Sequence, residues 1–262
     1  IGTSAFYECS SLTSVNVPTS VTSIESETFS GCSRLISITI PNSITSIGDY
    51  AFRGCKGLAS ITIPNGVTAI GMYAFWFCEG LKSVEISNSV TSIGMNAFEG
   101  CSMLKSITIN GSPSISNEAF ANCENLTDVY CLAGNVPSIK VDAFKNSYIE
   151  STTLHVPKAS IEQYRNNEVW GKFGQIYTIK TLINGIYYIL DNETKTAEVG
   201  GVENKNTTNI VIPSSVEYEG VTYAVTSISG WAFYGNKDLT SVTIGNQVTS
   251  IGMYRIQRRL RW

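Results

Sequence analysis

The sequence contains little charge, a single histidine and no long apolar run. Asp, Glu, Lys and Arg make up 15% of the 262 residues, and the formal net charge is −3. This balance is not typical of a general nucleic-acid binder, because such proteins neutralise phosphates with an excess of Lys and Arg. No stretch of about 18 apolar residues is present. The sequence therefore predicts no nucleic-acid partner and no insertion into a membrane.

The shortage of histidine also limits the possible chemistry. A catalytic triad joins a histidine to a nucleophile and an acid, and no motif links His155 to such partners. We therefore expect His155 to be an outward-facing strand residue. The phosphate-binding pattern G-x-x-x-x-G-K-[ST] is absent, and the carboxylates are scattered without an obvious pair. The sequence predicts that the protein is not an enzyme and has no cofactor or metal site.

What the sequence has in abundance is a repeat of about 23 residues. Phenylalanine, cysteine and leucine recur in step. They are Phe6, Phe29, Phe52, Phe75, Phe98, Phe120 and Phe144; Cys9, Cys32, Cys55, Cys78, Cys101 and Cys123; and Leu12, Leu35, Leu58, Leu81, Leu104 and Leu126. A constant period in this range is the signature of a solenoid, in which each unit closes its core only by stacking on its neighbours.

Each repeat contains a short alternating strand. In one unit, alternation places Ile61 and Ile63 on the inner face and Ser60 and Thr62 on the outer face. Pro64 then ends the strand, because it cannot donate a hydrogen bond to a neighbouring strand. Stacked strands are predicted to form a parallel sheet with about 4.8 Å between units.

The rest of the unit is predicted to contain a second β segment over residues 67–70 and a short helical turn over 74–78. The full pattern, S-V-T-S-I-G-x-x-A-F-x-x-C-x-x-L-x-S-V-x-I-P, resembles the BspA-type leucine-rich repeat over residues 1–157 and again over 207–252. The resemblance implies a leucine-rich repeat solenoid. It would be mostly β, with a parallel sheet and short helical turns, interrupted by a capping helix and a β-hairpin.

We predict five segments along the chain. They are a first repeat array over 1–157, a capping segment with a short helix over 158–183, a β-hairpin linker over 184–206, the start of a truncated second array over 207–254, and an anomalous tail over 255–262. In the tail, R-I-Q-R-R-L-R-W replaces the Ala-Phe that the repeat requires, which indicates a frameshift or a cloning scar. The alternative is a genuine basic tail that binds anionic partners.

The segments between the arrays have their own local signals. Ser160 is predicted to be the N-cap of a helix over 161–166, with apolar contacts from Ile161, Tyr164 and Trp170. A strand-like return is expected over 176–183. The hairpin strands are 186–190 and 196–199, flanking Asp191-Asn192, and residues 200–208 are predicted to be a loop. Glu219-Gly220 is expected to form a tight turn.

The match of the first residues to the repeat also affects what can be inferred about export. Ile1-Gly2 matches a position inside the repeat, so the sequence is expected to begin within a unit. The absence of a signal peptide from these residues is therefore uninformative about export.

The cysteines in register have two possible roles. Metal sites need clustered ligands such as C-x₂₋₄-C pairs, whereas each unit here supplies one cysteine. Parallel side chains one strand apart also miss the Cβ separation of about 3.8 Å that a disulfide prefers. We therefore predict a structural ladder of buried thiols that act as small apolar groups. Cys131, at a strand core position, is predicted to do the same.

The outward strand positions form two columns that offer a surface for recognition. One contains Ser14, Ser37, Ser60, Ser83, Ser106 and Asp128, and the other contains Asn16, Thr39, Thr62, Glu85, Thr108, Tyr130 and His155. Most of these residues are Ser or Thr and are compatible with a plain hydroxyl ladder. The end with charged and aromatic groups is more varied. The candidate partner-binding face is therefore Glu85, Thr108, Asp128, Tyr130 and His155.

A repetitive, polar surface without a catalytic group indicates a non-enzymatic recognition module. The resemblance implies a cell-surface or secreted protein that adheres to host matrix proteins or other cells, with a protein or glycan as its partner. The alternative is a spacer or display scaffold within a larger surface protein.

Overall fold

The computed structural model describes residues 1–252. The chain forms two compact units, one over residues 1–177 and one that begins at Thr178. The expectations for residues 253–262, including the tail 255–262, lie outside the described residues. Each repeat of the sequence forms one coil of the solenoid.

Every coil of the first unit contributes a longer strand, and the first five coils also contribute a shorter one. The longer strands are β1 (Ser14–Asn16), β3 (Ser37–Thr39), β5 (Ser60–Ile63), β7 (Ser83–Ile86), β9 (Ser106–Ile109), β11 (Asp128–Cys131), β12 (Thr153–Val156) and β13 (Gln175–Thr178). The shorter strands are β2 (Ser23–Ile24), β4 (Ser46–Ile47), β6 (Ala69–Ile70), β8 (Ser92–Ile93) and β10 (Ser114–Ile115). The fold is therefore the predicted mostly β solenoid.

The strands pair between coils in the order in which the chain winds. β1 pairs with β3, β5 to β13 form a six-stranded sheet, and β2 to β10 form a five-stranded sheet. The pairs from β5 to β12 are parallel and join equivalent repeat positions, such as Ile61 with Val84 and Ile63 with Ile86. In β5, Ile61 and Ile63 are buried while Ser60 and Thr62 are exposed, as alternation predicts.

The segment around each core phenylalanine consists of tight turns. In one coil, the Arg53 N–H donates to Tyr50 O and the Cys55 N–H donates to Phe52 O, both at 3.1 Å. These are i→i+3 hydrogen bonds. The intervening N–H groups of Phe52 and Gly54 donate to Ala74 and Trp76 of the next coil. Because every second N–H is used between coils, a regular helix does not form here.

The core of the first unit is built from files of identical side chains. The Phe rings from Phe6 to Phe144 stack with centroid distances of 4.9–5.4 Å and interplanar angles of 3–16°. Cys32, Cys55, Cys78, Cys101 and Cys123 are buried beside them. The prediction that all six cysteines point inward is wrong for Cys9, which is exposed because no coil covers its outer side.

A capping segment closes the far end of this core. It contains the 3₁₀ helices Ile149–Ser151, Lys158–Ser160 and Trp170–Lys172 and the helix α1 (Ile161–Arg165). Trp170 and Phe173 pack edge-on against Phe144 at 5.7 and 5.4 Å. Ser160 holds the N-cap position but makes no side-chain cap bond. Its hydroxyl donates instead to Pro157 O at 3.4 Å, so the prediction of a capping serine is wrong in its chemistry.

The second unit pairs its first strands antiparallel. Its strands are β14 (Thr181–Ile183), β15 (Ile186–Asp191), β16 (Thr196–Val202), β17 (Asn209–Ile212), β18 (Ser215–Tyr218), β19 (Val221–Ile228), β20 (Ser241–Ile244) and β21 (Ser250–Ile251). β15 and β16 form the predicted hairpin. Glu219 and Gly220, with φ of 50° and 75°, make the predicted tight turn between β18 and β19.

Two local predictions in this region are wrong. Residues 200–202 belong to β16 rather than to a loop, because β15 continues alongside them and pairs Tyr187 with Gly201 and Ile186 with Val202. Residues 176–183 are not one strand. They are divided between β13 of the first unit's sheet and β14 of the second unit's sheet. Further along, β17 pairs in parallel with β20, and β19 with β21, which restores the solenoid pattern.

Candidate binding surface

Four of the five candidate residues form one row across the six-stranded sheet. Glu85 is in register with Thr108, Thr108 with Tyr130, and Tyr130 with His155. Asp128 lies in the adjacent row, opposite Ser106 and Thr153. Parallel neighbours in register stand about 4.8 Å apart. The structure therefore brings all five together on one face of β7, β9, β11 and β12, and their role in binding stays a prediction.

Three of these residues form a compact cluster. The Nε2–H of His155 donates to Asp128 Oδ1 at 2.9 Å, and the imidazole stacks on the Tyr130 ring with 4.3 Å between centroids and an angle of 7°. The side chain of His155 is 21% exposed and that of Asp128 is 36% exposed. The imidazole is thus fixed in orientation by a carboxylate and by a ring face.

The electrostatics of the cluster keep the Tyr130 hydroxyl protonated. Partial burial, and then the Asp128 carboxylate, raise the pKa of Tyr130 above its ordinary value. The phenol is therefore a hydrogen-bond donor at neutral pH. A neutral His155 that donates through Nε2 keeps Nδ1 as an acceptor. The contacts of His155 in this cluster are therefore with Asp128 and Tyr130.

Glu85 belongs also to a neighbouring polar groove. The groove has a volume of about 570 Å³. Its polar side chains are Ser37, Thr39, Asn42, Ser60, Thr62, Asn65, Glu85, Ser87 and Asn110. Asn110 Nδ2 donates to Glu85 Oε1 at 3.4 Å. Glu85 therefore joins the hydroxyl- and amide-rich part of the sheet to the cluster around His155.

Burial keeps the inner cysteines of the ladder protonated. Burial raises the pKa of Cys78, Cys123 and Cys131 to about 12. Neutral pH therefore leaves them as thiols, and the nucleophilic thiolate does not form. Across residues 1–252, no three His, Cys, Asp or Glu side chains meet in a way that could hold a metal ion.

The thiols do more than fill space. The Cys55 thiol donates to Phe29 O at 3.2 Å and the Cys78 thiol donates to Phe52 O at 3.1 Å, so each bonds to the preceding coil. Ser147, which stands where the next cysteine is due, donates to Phe120 O at 2.6 Å. The ladder therefore satisfies buried carbonyl groups, a role that the prediction of small apolar groups missed.

Comparison with known proteins identifies the family. The model of the BspA type leucine-rich repeat region matches six copies over residues 1–127, 45–168 and 195–258. The chain belongs to the BspA-type leucine-rich repeat family. Members of this family are often surface proteins. No curated protein sequence matches the chain significantly.

Solved structures of bacterial leucine-rich repeat proteins resemble this BspA-type chain. The T. pallidum protein TpLRR is 32% identical with a TM-score of 0.53, and the match covers 63% of this chain and 74% of that one. A leucine-rich repeat protein from Bacteroides ovatus is 20% identical with a TM-score of 0.42, covering 96% and 78%. A leucine rich cell surface protein from Faecalibacterium prausnitzii is 20% identical with a TM-score of 0.37, covering 92% and 65%.

A larger recess in the second array of the BspA-type chain is lined by core positions of the repeat. It measures about 660 Å³ and is lined by apolar residues that include Trp231, Phe233, Val242 and Ile244. Val242 and Ile244 occupy repeat positions that are buried core in the first array. The recess is therefore the interior of the second array at the last described coils. Among the described residues, no helix is both long and apolar enough to cross a bilayer.

Sequence reasoning missed an exposed aromatic group on the turns of the BspA-type coils. Tyr50, Arg53, Tyr73, Trp76 and Phe77 contact one another beside the core phenylalanines, and we call them the turn-edge cluster. The signal was a departure from the repeat. At the position of Phe77, two residues after the core Phe, four other coils have glycine, two have asparagine and one has glutamate.

Proposed function

We propose that this chain is a non-enzymatic recognition module that acts at the cell surface or after secretion. It binds a protein or glycan partner on a host or neighbouring cell through the face formed by Glu85, Thr108, Asp128, Tyr130 and His155. Host matrix proteins are the first partners to test. Membership of a family whose members are often surface proteins supports the location.

The observation that carries this proposal is the arrangement of Asp128, His155 and Tyr130. On a face of Ser and Thr, the 2.9 Å hydrogen bond and the 4.3 Å ring stack hold two ring side chains in fixed positions. Rigid side chains lose less conformational entropy when a partner binds. The adjoining groove adds hydroxyl, amide and carboxylate groups that suit hydrogen bonds to a polar ligand.

The proposal is tested by binding assays on the full chain against matrix proteins, glycans and cell surfaces. For a ligand found in this way, Tyr130→Ala and His155→Ala are expected to weaken binding about 10-fold or more, equivalent to about 1.4 kcal/mol. Tyr234→Ala, which removes an exposed tyrosine of the second array, is the matched control. Unchanged affinity in both face variants would show that this face does not bind.

The alternative, a spacer or display scaffold, is favoured by the stiffness of the stacked core. The Phe file is continuous over seven rings, and hydrogen bonds join successive coils throughout. If no ligand of any tested class binds, recognition by this chain is contradicted and the scaffold becomes the better explanation.

A further inference from the structure

The turn-edge cluster consists of four aromatic rings and one guanidinium. The rings of Tyr50 and Tyr73 stack at 4.9 Å and 4°. Trp76 meets Tyr73 edge-on at 5.5 Å and Phe77 edge-on at 4.8 Å. The guanidinium carbon of Arg53 lies 4.9 Å from the centroid of Trp76. The cluster belongs to turns, so it is separate from the sheet face described above.

Phe77 occupies a backbone conformation that does not suit it. Its φ is +53°, in the left-handed region, whereas Gly31, Gly54 and Gly100 hold this position in other coils. The left-handed conformation recurs at this position in every coil, as in Glu8, Asn122 and Asn146, so it belongs to the turn, and it disfavours a bulky side chain such as that of Phe77. Phe77 gains little burial in return, because it remains 41% exposed. Its ring lies over Gly100, where an added Cβ would approach it to 3.0 Å.

Trp76 is held in place by a partly buried polar network. Its Nε1–H donates to Glu99 Oε2 at 3.0 Å, and the same oxygen accepts a hydrogen bond from Asn96 Nδ2 at 2.6 Å. The other carboxylate oxygen accepts from Asn122 Nδ2 at 3.1 Å. Glu99 is therefore committed to three donors from the protein. The indole is pre-oriented and loses little freedom when a partner binds.

The positive charge of Arg53 lacks a carboxylate partner within residues 1–252. Nearby acids are engaged elsewhere. Asp49 Oδ1 accepts from the Met72 N–H at 2.7 Å, and Glu79 pairs with Lys56 at 2.8 Å. The guanidinium carries five N–H donors that match a carboxylate in geometry. A partner that supplies a carboxylate would complete this site.

The residue types of the cluster favour a protein over a glycan. Tyr, Trp, Phe, Met and Arg are the residues enriched in protein interfaces and their hot spots, and exposed Met72 and Met95 flank the cluster. Arg53 lies over the indole of Trp76, and the facing sides of the Tyr50 and Tyr73 rings cover each other. Flat stacking of a sugar ring on these surfaces is thereby obstructed.

We propose that the turn-edge cluster is a docking surface for a protein segment that places a carboxylate on Arg53 and apolar side chains against Trp76 and Phe77. The unpaired cation, the fixed indole and the strained, exposed phenyl ring together define this partner chemistry. The surface is independent of the sheet face, so either site can fail without the other.

The test uses the full chain and a random peptide library displayed on phage. Peptides selected on the wild-type chain are expected to share an Asp or Glu next to apolar residues. Their affinity, measured by fluorescence polarisation with synthetic peptide, should fall about 10-fold or more in Arg53→Gln and in Trp76→Ala. Replacing the peptide carboxylate with its amide should have the same effect. Arg34→Gln, at an exposed arginine of another coil, should leave the affinity unchanged.

Three results would overturn the proposal. One is a selected set without a shared carboxylate or without sensitivity to Arg53→Gln. The second is a glycan that binds the wild-type chain but not the Trp76→Ala variant. The third is a dimer in sedimentation analysis that dissociates in Arg53→Gln, since the occupant would then be a second copy. Circular dichroism and the urea midpoint of Arg53→Gln establish that the variant is folded.

Discussion

Interior coils of the first array and coils of the second array share one repeat but bury it to different degrees. In β7, Val84 and Ile86 are 2% and 0% exposed, whereas Val242 and Ile244 at the same positions of β20 are 37% and 43% exposed. β7 pairs with β5 and β9. β20 pairs only with β17 among the described strands.

The difference shows that core residues of this protein are buried by contacts between coils and not within a single coil. The first coil shows the same effect, because Leu12 and Val15 are only partly buried although they match residues that are fully buried further along. Stability in such a fold is approximately a sum of repeat terms and nearest-neighbour interface terms. Changes at interior coils should therefore have larger effects than the same changes elsewhere.

The largest expected effect is unfolding of the first unit at alkaline pH. The ordinary thiol pKa of 9.0 rises to about 12 in Cys78, Cys123 and Cys131 because they are buried. A raised folded-state pKa gives stability that is complete below pH 9 and is lost as pH rises toward 12. All seven cysteines precede residue 132. Urea midpoints measured with reductant at several pH values should therefore fall more steeply for the first unit.

Hydrogen exchange can assign each urea transition to its unit. The second unit is expected to respond less, through Tyr188, whose pKa burial raises from 10.0 to about 12. Cys78→Ala removes one titrating thiol and should make the pH dependence of the first unit shallower. A second unit that unfolds first on going from pH 9 to 12 would contradict this account.

The next largest effect is expected from removing one ring of the Phe file. Phe75 is fully buried and stacks on Phe52 at 5.0 Å and on Phe98 at 4.9 Å. Phe75→Ala should lower the free energy of unfolding of the first unit by about 3–5 kcal/mol. Phe233→Ala, at the same repeat position of the second array but only partly buried, should cost about 1 kcal/mol. Equal losses of unfolding free energy for the two variants in urea denaturation would contradict the proposed difference between the two arrays.

A smaller loss of stability is expected when the Ser147 hydroxyl, which replaces a thiol in the ladder, is removed. The Ser147 hydroxyl donates to Phe120 O at 2.6 Å and accepts from the Cys123 N–H at 2.9 Å. Ser147→Ala leaves both buried groups without this partner and should cost about 1–3 kcal/mol. Ser147→Cys restores the residue found in the other coils and should cost less. Urea denaturation of the two variants gives the comparison. An equal loss in both would show that a thiol does not replace the hydroxyl here, and no loss in Ser147→Ala would show that the hydroxyl has no bonding role.

The fold could be predicted from the sequence because periodic residues all face the same core. The spacing of Phe52, Phe75 and Phe98 fixes the register between coils, and Pro64 fixes a strand end. Gly200 and Gly201 misled the prediction because two glycines are typical of a loop. Their place in β16 depends on β15, which continues the hairpin and pairs Tyr187 with Gly201 and Ile186 with Val202.

The candidate surface was predictable in part. Alternation placed Glu85, Thr108 and Tyr130 on one face, but the bond between Asp128 and His155 joins residues 27 positions apart. The coil between them departs from the 23-residue period, so spacing alone did not pair them. The turn-edge cluster could not be predicted by periodicity, because the periodic pattern reports the buried face and these side chains lie outside it.

The smallest effect on stability should come from replacing Phe77, two residues from Phe75, with Asn. This substitution should stabilise the protein, whereas the others destabilise it. The φ of Phe77, +53°, suits Gly or Asn better than an aromatic residue. Phe77→Asn is expected to raise the free energy of unfolding by about 0.5 kcal/mol, because relief of the left-handed strain exceeds the small loss of burial. Phe77→Leu keeps the strain, loses the ring contacts with Trp76 and should therefore lower stability. Urea midpoints of the two variants test this, and if the peptide affinity falls while stability rises in Phe77→Asn, the ring serves binding rather than folding.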